Sequence, residues 1–244
     1  MSKETQPLIK GEHERVREIV DGDTLFLKSG LKVRLSGMQA PKLSLGRAHV
    51  SDWPLGEESK AALMELALGK EVTLYYGGER RDRYGRALAQ LFKGELYLQE
   101  EMLRRGLARV YTWPDTWQDS ERLLAAEQDA RNALRGMWGL EHYHIRSPDP
   151  NALAQDVDSF QIIEGIITSV AEIGGRVYLN FGADYKTDFT VVIDEDTRKK
   201  FDGARYDPLT LEGAKVRVRG WVELKNGPSI WLTHPAPLEV LDPL

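Results

Sequence analysis

Asp21 and Asp23 stand two residues apart in the stretch VDGDTLFLKSGLKVRLSG, and Arg34 follows downstream. On an extended chain, residues two apart point to one side, so the pair offers hard oxygens of the kind that suits calcium. Arg34, and Arg86 in the later stretch DRYGR, supply planar forks that can hold a phosphate through two parallel bonds and stabilise charge building on it. Gly85 would let its turn bring Arg86 close to a ligand, and Tyr84 could stack on a base or sugar. The chemistry these types could do together is binding, and cation-assisted cleavage, of a phosphodiester. Plainer readings stand beside it. Asp-Gly is a common turn pair, and Glu79–Arg86 also reads as a solvated charged loop. His49 and Asp52, in LSLGRAHVSDW, read as surface residues more readily than as a metal site. Glu57 and Glu58 could serve as a substitute base, but first-turn acids are expected for the helix dipole.

These side chains need elements to hold them. Glu14–Ile19, Thr24–Lys28 and Leu31–Ser36 read as a three-stranded meander turning at Gly22 and Gly30. A helix over Glu57–Leu68 stops at Gly69. Strands over Glu71–Tyr76 and Ala87–Phe92 flank the turn GGERRDRYGR, and helices follow over Leu98–Arg105 and Ser120–Arg135. Strands broken by helices in this order suggest a small closed barrel with helices packed on it. The segment SPDPNALAQDVD, from Ser147 to Asp158, reads as a domain edge. Beyond it the pattern is mostly β: Phe160–Val170, Arg176–Phe181, Phe189–Ile193, Lys215–Glu223, and Ser229–Thr233 extending into Leu238–Leu241. A short helix falls over Glu195–Phe201. Five strands with a helix after the third is the order of an OB-type barrel, and Asn226-Gly227 is a hairpin signal. The expected class is mainly β with α (α+β), with domains over 13–145 and 158–244.

The chain has 244 residues, 41% hydrophobic and 29% charged, which suits two modest cores. Its apolar runs are too short to span a bilayer, and the opening MSKETQPLIKGEHERV lacks the apolar centre of a secretory signal. With no cysteine there is neither a disulfide nor a thiolate site, and a cytoplasmic location is expected. Residues 1–150 balance, 23 basic against 23 acidic, so the remainder carries the whole net charge of −5. Any nucleic-acid contact must therefore come from local basic clusters.

Six stretches in order carry a resemblance: Val20–Thr24 (VDGDT), Arg34–Pro41 (RLSGMQAP), Leu55–Lys60 (LGEESK), Asp82–Arg86 (DRYGR), Met102–Val110 (MLRRGLARV) and Gly136–Gly139 (GMWG). Over residues 13–140 the chain resembles staphylococcal-nuclease-like, or thermonuclease, domains. The resemblance implies an OB-type five-stranded barrel with three helices and calcium-dependent hydrolysis of DNA and RNA. It also implies roles. Asp23 matches the first metal-ligating aspartate and Asp21 the acid that supports it, while Arg34 and Arg86 match the catalytic, phosphate-clamping arginines. Gln39 stands where a second metal-ligating aspartate is expected. Ala40 stands where a threonine lends its backbone carbonyl, and Lys42 where a glutamate positions the attacking water.

Both departures weaken the expected metal site. Gln39 removes one negative charge and Lys42 reverses another. Unit charges about 4 Å apart interact by about 4 kcal/mol at an effective dielectric of about 20, so calcium becomes a doubtful cofactor. Lys42 is also a poor base near neutral pH. Phosphate binding by Arg34, Lys42, Tyr84 and Arg86 is by contrast reinforced. Two readings follow: a nuclease whose hydrolysis is weakened, or a nucleic-acid or phosphate-binding module that no longer cuts. In the second domain, Lys215, Arg217, Arg219 and Trp221 alternate with valines along one strand, a pattern OB barrels use to bind single strands. An ordinary solvent face reads equally from the same stripe.

Overall fold

The computed structural model describes residues 7–201 and 206–241. They fall into two compact units that divide between Tyr143 and His144. The expected end of the second domain at Leu244 lies outside the described residues, as do positions 202–205.

In the first unit β1 (Ile9–Asp21), β2 (Thr24–Leu27) and β3 (Lys32–Leu35) form the meander. β4 (Gly37–Gln39) follows, then α1 (Gly56–Ala67), β5 (Glu71–Tyr76), β6 (Ala87–Lys93) and β7 (Leu96–Tyr97). α2 (Leu98–Arg104), β8 (Arg109–Tyr111) and α3 (Ser120–Asn132) complete it. β1 is long enough to pair with β2 at one end and β5 at the other, and its pairing shifts register at three places. β6 pairs with β5 and, in parallel, with β3, which closes five strands among the described residues into a barrel. Alternation fixes what fills it: Val33, Leu35, Val72, Leu74, Ala89 and Leu91 point inward and meet Leu63 of α1 and Met102 of α2. Burying each large apolar side chain is worth about 1.5–3 kcal/mol.

Two features of this unit position the site. Gly22 packs so tightly that a Cβ there would lie 2.0 Å from Ser59 Oγ of α1, which seats the acidic hairpin turn against the helix. β4 pairs with β8 in a small sheet of its own, with Gln39 opposite Arg109. That sheet was not expected from the sequence.

The second unit opens with the Pro- and Asp-rich segment. Asp149 caps α4 (Pro150–Leu153), accepting the Ala152 N–H at 2.9 Å, and Leu153 joins the second core. β9 (Phe160–Ile166) and β10 (Ser169–Ile173) lead into β11 (Arg176–Asn180) and β12 (Thr190–Ile193). α5 (Glu195–Arg198) comes next, then β13 (Lys215–Trp221), β14 (Glu223–Leu224), β15 (Pro228–Leu232) and β16 (Leu238–Val240). The order β10-β11-β12-β15-β14, with β13 antiparallel to β9 and β12 parallel to β15, is compatible with an OB-type barrel. β14 and β15 join through Lys225, Asn226 and Gly227, and the last two have positive φ, 54° and 86°, which tight hairpin connections favour.

Candidate functional site

The acidic turn comes first. Asp21 ends β1 and pairs with Thr24, so Asp23 sits in a hairpin turn and not on the extended run expected from its spacing. The Asp23 N–H donates to Asp21 Oδ1 at 3.1 Å. The Asp23 carboxylate is nearly buried and already engaged: Oδ2 accepts the Ala40 N–H at 2.9 Å and faces Arg34 Nη2 at 3.2 Å, while Oδ1 accepts the Thr24 hydroxyl at 3.0 Å. Burial, and then the charge of Asp23, push the Asp21 carboxyl up to about 6.

Arg34 leaves β3 beside Asp23, and its guanidinium folds back onto the backbone that follows. Nη2 donates to Met38 O at 2.8 Å and Nη1 to Leu35 O. The group also lies 5.8 Å from the ring centre of Trp113. Arg86 stands one residue ahead of β6, and the β3–β6 register puts it on the outward side that Arg34 and Leu88 share. Asp82 organises its loop, accepting the Tyr84 and Arg86 N–H groups at 2.9 and 3.0 Å and Arg86 Nε at 2.7 Å. Gly85 takes φ 77°. Tyr84 is exposed, with the Arg83 and Arg86 guanidinia 4.9 and 5.6 Å from its ring centre.

Gln39 and Lys42 are tied to a residue the sequence reading assigned no role. Gln39 Oε1 accepts from Arg109 Nε at 3.0 Å and from Nη2 at 2.7 Å, all of it buried. Trp53 serves both cations: the Arg109 guanidinium is 5.6 Å from its ring centre and the Lys42 ammonium 5.1 Å. Partial burial, followed by the charges of Arg109 and Arg47, lowers the Lys42 ammonium below its ordinary value, against the pull of Asp23. Arg109 lies inside the motif MLRRGLARV, and its β-strand partner was the missing signal.

These donors do not fit a calcium site. Calcium takes six to eight oxygens in typical sites. Here both Asp23 oxygens carry hydrogen-bond donors, the Gln39 oxygen carries two, and a lysine stands nearby. Among the described residues no three His, Cys, Asp or Glu side chains come together as a metal group. The loop holding His49 and Asp52 satisfies itself: Asp52 accepts the Ser44 N–H at 2.5 Å, and Arg47 binds the Ser44 and Leu43 carbonyls. Glu57 and Glu58 point to solvent in the first turn of α1.

The basic stripe of the second unit does share one strand face, but carboxylates thread it. Glu164 meets Lys215 at 2.9 Å and Arg217 at 2.7 Å, and Glu239 meets Arg219 at 2.5 Å. Arg217 and Arg219 are buried, and Trp221 is 45% exposed.

Residues 32–139, within the first unit, match the family model described as staphylococcal nuclease homologue. The chain is 31% identical over 130 residues to an uncharacterized endonuclease of Escherichia coli O157:H7, covering 52% of this chain and 76% of that one. It is 28% identical over 127 residues to a thermonuclease of Staphylococcus hyicus, covering 51% and 74%. A probable staphylococcal-like nuclease of Oryza sativa subsp. japonica, CAN1, is 31% identical over 107 residues, which are 44% of this chain but 28% of the rice protein. No helix among the described residues is long and apolar enough to cross a membrane.

Proposed function

The chain belongs to the staphylococcal nuclease homologue family, and from that premise we propose that its first unit holds nucleic-acid phosphodiesters in a basic site from which the calcium chemistry has been withdrawn. The observation that carries this reading is the pair of hydrogen bonds that Arg109 donates to Gln39 Oε1. It commits the oxygen that a metal would need and fixes a cation in its place. Lys42, sharing Trp53 with Arg109, adds a second positive charge. Arg86, restrained by Asp82 but partly exposed, offers a donor edge to phosphate, and Tyr84 beside it offers a ring to a base or sugar.

Arg34 has a different part. Held by Asp23 and two backbone carbonyls, it anchors the turn and lends the site its charge. Hydrolysis on this reading is slow, because the position of the water-activating glutamate carries an ammonium. A second reading keeps a working enzyme. The retention of Asp21, Asp23 and Arg34 as one cluster favours it, with weak cleavage of the same substrates.

The test is binding of a short single-stranded oligonucleotide. Arg86→Ala and Lys42→Ala each weaken it by roughly tenfold, the worth of one charge-assisted bond. Lys70→Ala, in the turn just before β5, leaves it unchanged. Equal losses from all three substitutions would remove the case for a specific site.

A further inference from the structure

The second unit has another outward face, on the sheet β10-β11-β12-β15-β14. Val177, Leu179, Val191, Ile193, Ile230 and Leu232 point into the core, so the residues alternating with them lie on the opposite side of the sheet, where Asn180, Thr190, Val192 and Ser229 are buried and Tyr178 and Trp231 are partly exposed. The registers align these into rows. Ser169, Asn180, Thr190 and Ser229 form one, tied by Asn180 donating to Ser169 Oγ and Thr190 Oγ1 donating to Asn180 Oδ1, each at 3.2 Å. Ala171, Tyr178, Val192 and Trp231 form the next, with an aromatic on either side of Val192.

Cations arrive at that row from two hairpins. Arg176 follows the Gly174-Gly175 turn and lies 5.6 Å from the Trp231 ring centre; Lys225 precedes the Asn226-Gly227 turn and lies 4.8 Å away. Both are exposed. Lys200 borders the C-terminal end of β15, donating to Thr233 O at 2.8 Å. Three acids nearby have partners: Asp194 accepts the Thr197 N–H at 2.7 Å, Glu195 meets Lys199 at 3.2 Å, and Glu172 pairs with Arg198, while Glu223, opposite Ser229 on β14, is exposed. Trp231 Nε1 is buried without a hydrogen-bond partner, a donor that an incoming acceptor would satisfy. The Lys215–Trp221 face differs, because Glu164 and Glu239 compensate its arginines.

We propose that Tyr178 and Trp231, flanked by Arg176 and Lys225, form a binding face for single-stranded nucleic acid. Bases stack on the two rings and backbone phosphates meet the two cations, the combination by which barrels hold single strands without reading sequence. The occupant is a single strand and not a duplex for a geometric reason. β12 lies between the two aromatic residues, which separates them by about two strand spacings, roughly 9–10 Å. Bases that keep a duplex stack of roughly 3.4 Å cannot splay to meet both rings, whereas those of a flexible single strand can.

The experiment uses the full chain and a poly-dT oligonucleotide carrying one photoreactive 5-iodouracil, in wild type, Trp231→Ala, and Arg176→Glu with Lys225→Glu. The charge pair lies on exposed positions, so it tests the face even where Trp231→Ala perturbs the fold. We expect the charge pair to weaken binding by tenfold or more, and to flatten the salt dependence by about 1.4 in slope for two lost phosphate contacts. Crosslinks should map to Trp231 or Tyr178 and persist in Arg86→Ala, which separates this face from the site in the first unit. Crosslinks confined to residues 7–143, unchanged affinity in the charge pair, or a duplex that competes as well as the single strand would each overturn the proposal.

Discussion

Gln39 and Arg109, 70 residues apart in the chain, meet as a buried pair in which one amide oxygen accepts two guanidinium hydrogens, at 3.0 and 2.7 Å. The pairing decides what a restored carboxylate would do. In Gln39→Asp the new acid has a guanidinium waiting, so it forms a charge-assisted bond with Arg109 in preference to a metal site. The single substitution should leave the melting temperature insensitive to added calcium. Gln39→Asp with Lys42→Glu adds two negative charges and removes a positive one, and should melt higher in calcium than in EDTA. A calcium response from the single substitution would show that Arg109 does not hold position 39.

The two arginines of the site should separate in their effects. Arg34 and Asp23 face each other at 3.2 Å with side chains 7% and 12% exposed. Arg34→Ala leaves a buried carboxylate uncompensated and should destabilise the fold by about 3–5 kcal/mol. Arg86 is more exposed and its ion pair weaker, so Arg86→Ala should shift the denaturant midpoint little while it weakens oligonucleotide binding. Equal destabilisation by both would contradict the division between anchor and ligand contact.

Gly106 and Gly136 join the motifs MLRRGLARV and GMWG. A Cβ on Gly106 would lie 2.1 Å from Arg135 O, and the backbone there has φ 68°. Gly94 has a similar φ of 59° with nothing within 4 Å. Both glycine-to-alanine changes carry the left-handed penalty of about 1–2 kcal/mol, but only Gly106→Ala adds a backbone clash. Urea unfolding should therefore show Gly106→Ala to be the costlier change by at least about 1 kcal/mol. Matching values would mean that the two loops part without strain.

His234 makes the second unit sensitive to acid. It is buried, which with the charge of Lys200 pushes its imidazole down to about 3. An unfolded histidine titrates near 6.5, so between about pH 6.5 and 3 the unfolded state binds more protons. This contribution to stability is complete above that window and is lost as pH falls through it, by about 3 kcal/mol on reaching about pH 4. His234→Gln should flatten the fall in denaturant midpoint between neutral pH and pH 4. Parallel pH curves for wild type and variant would show that another group carries it.

Much of the fold is legible because it follows period and turn chemistry. Val33 and Leu35 alternate with polar neighbours, and Asn226-Gly227 marks the hairpin between β14 and β15. β4 and β8 are not legible in this way, since strands of three residues carry no period and find each other through the closed barrel. The site divides along the same line. Asp21, Asp23, Arg34 and Arg86 are visible by type and spacing, and Gln39 and Lys42 by what they replace. What hid was pairing at long range: Arg109 beneath Gln39, Trp53 between two cations, and Glu164 and Glu239 threading the basic stripe on β13. The Asp21–Asp23 spacing misled for a local reason, because a hairpin turn and not an extended strand joins the two.

The central claim is that the first unit binds phosphodiesters with its own cations. The most direct measurement follows wild-type protein with a labelled single-stranded DNA, recording affinity and cleavage in calcium and in EDTA at one ionic strength. The affinities should agree within about twofold, since the counterion effect is held constant, and calcium should not accelerate cleavage. Tighter binding in calcium together with rapid calcium-dependent cleavage would contradict the claim, and would mean that other oxygens than those of Gln39 and position 42 complete a working metal site.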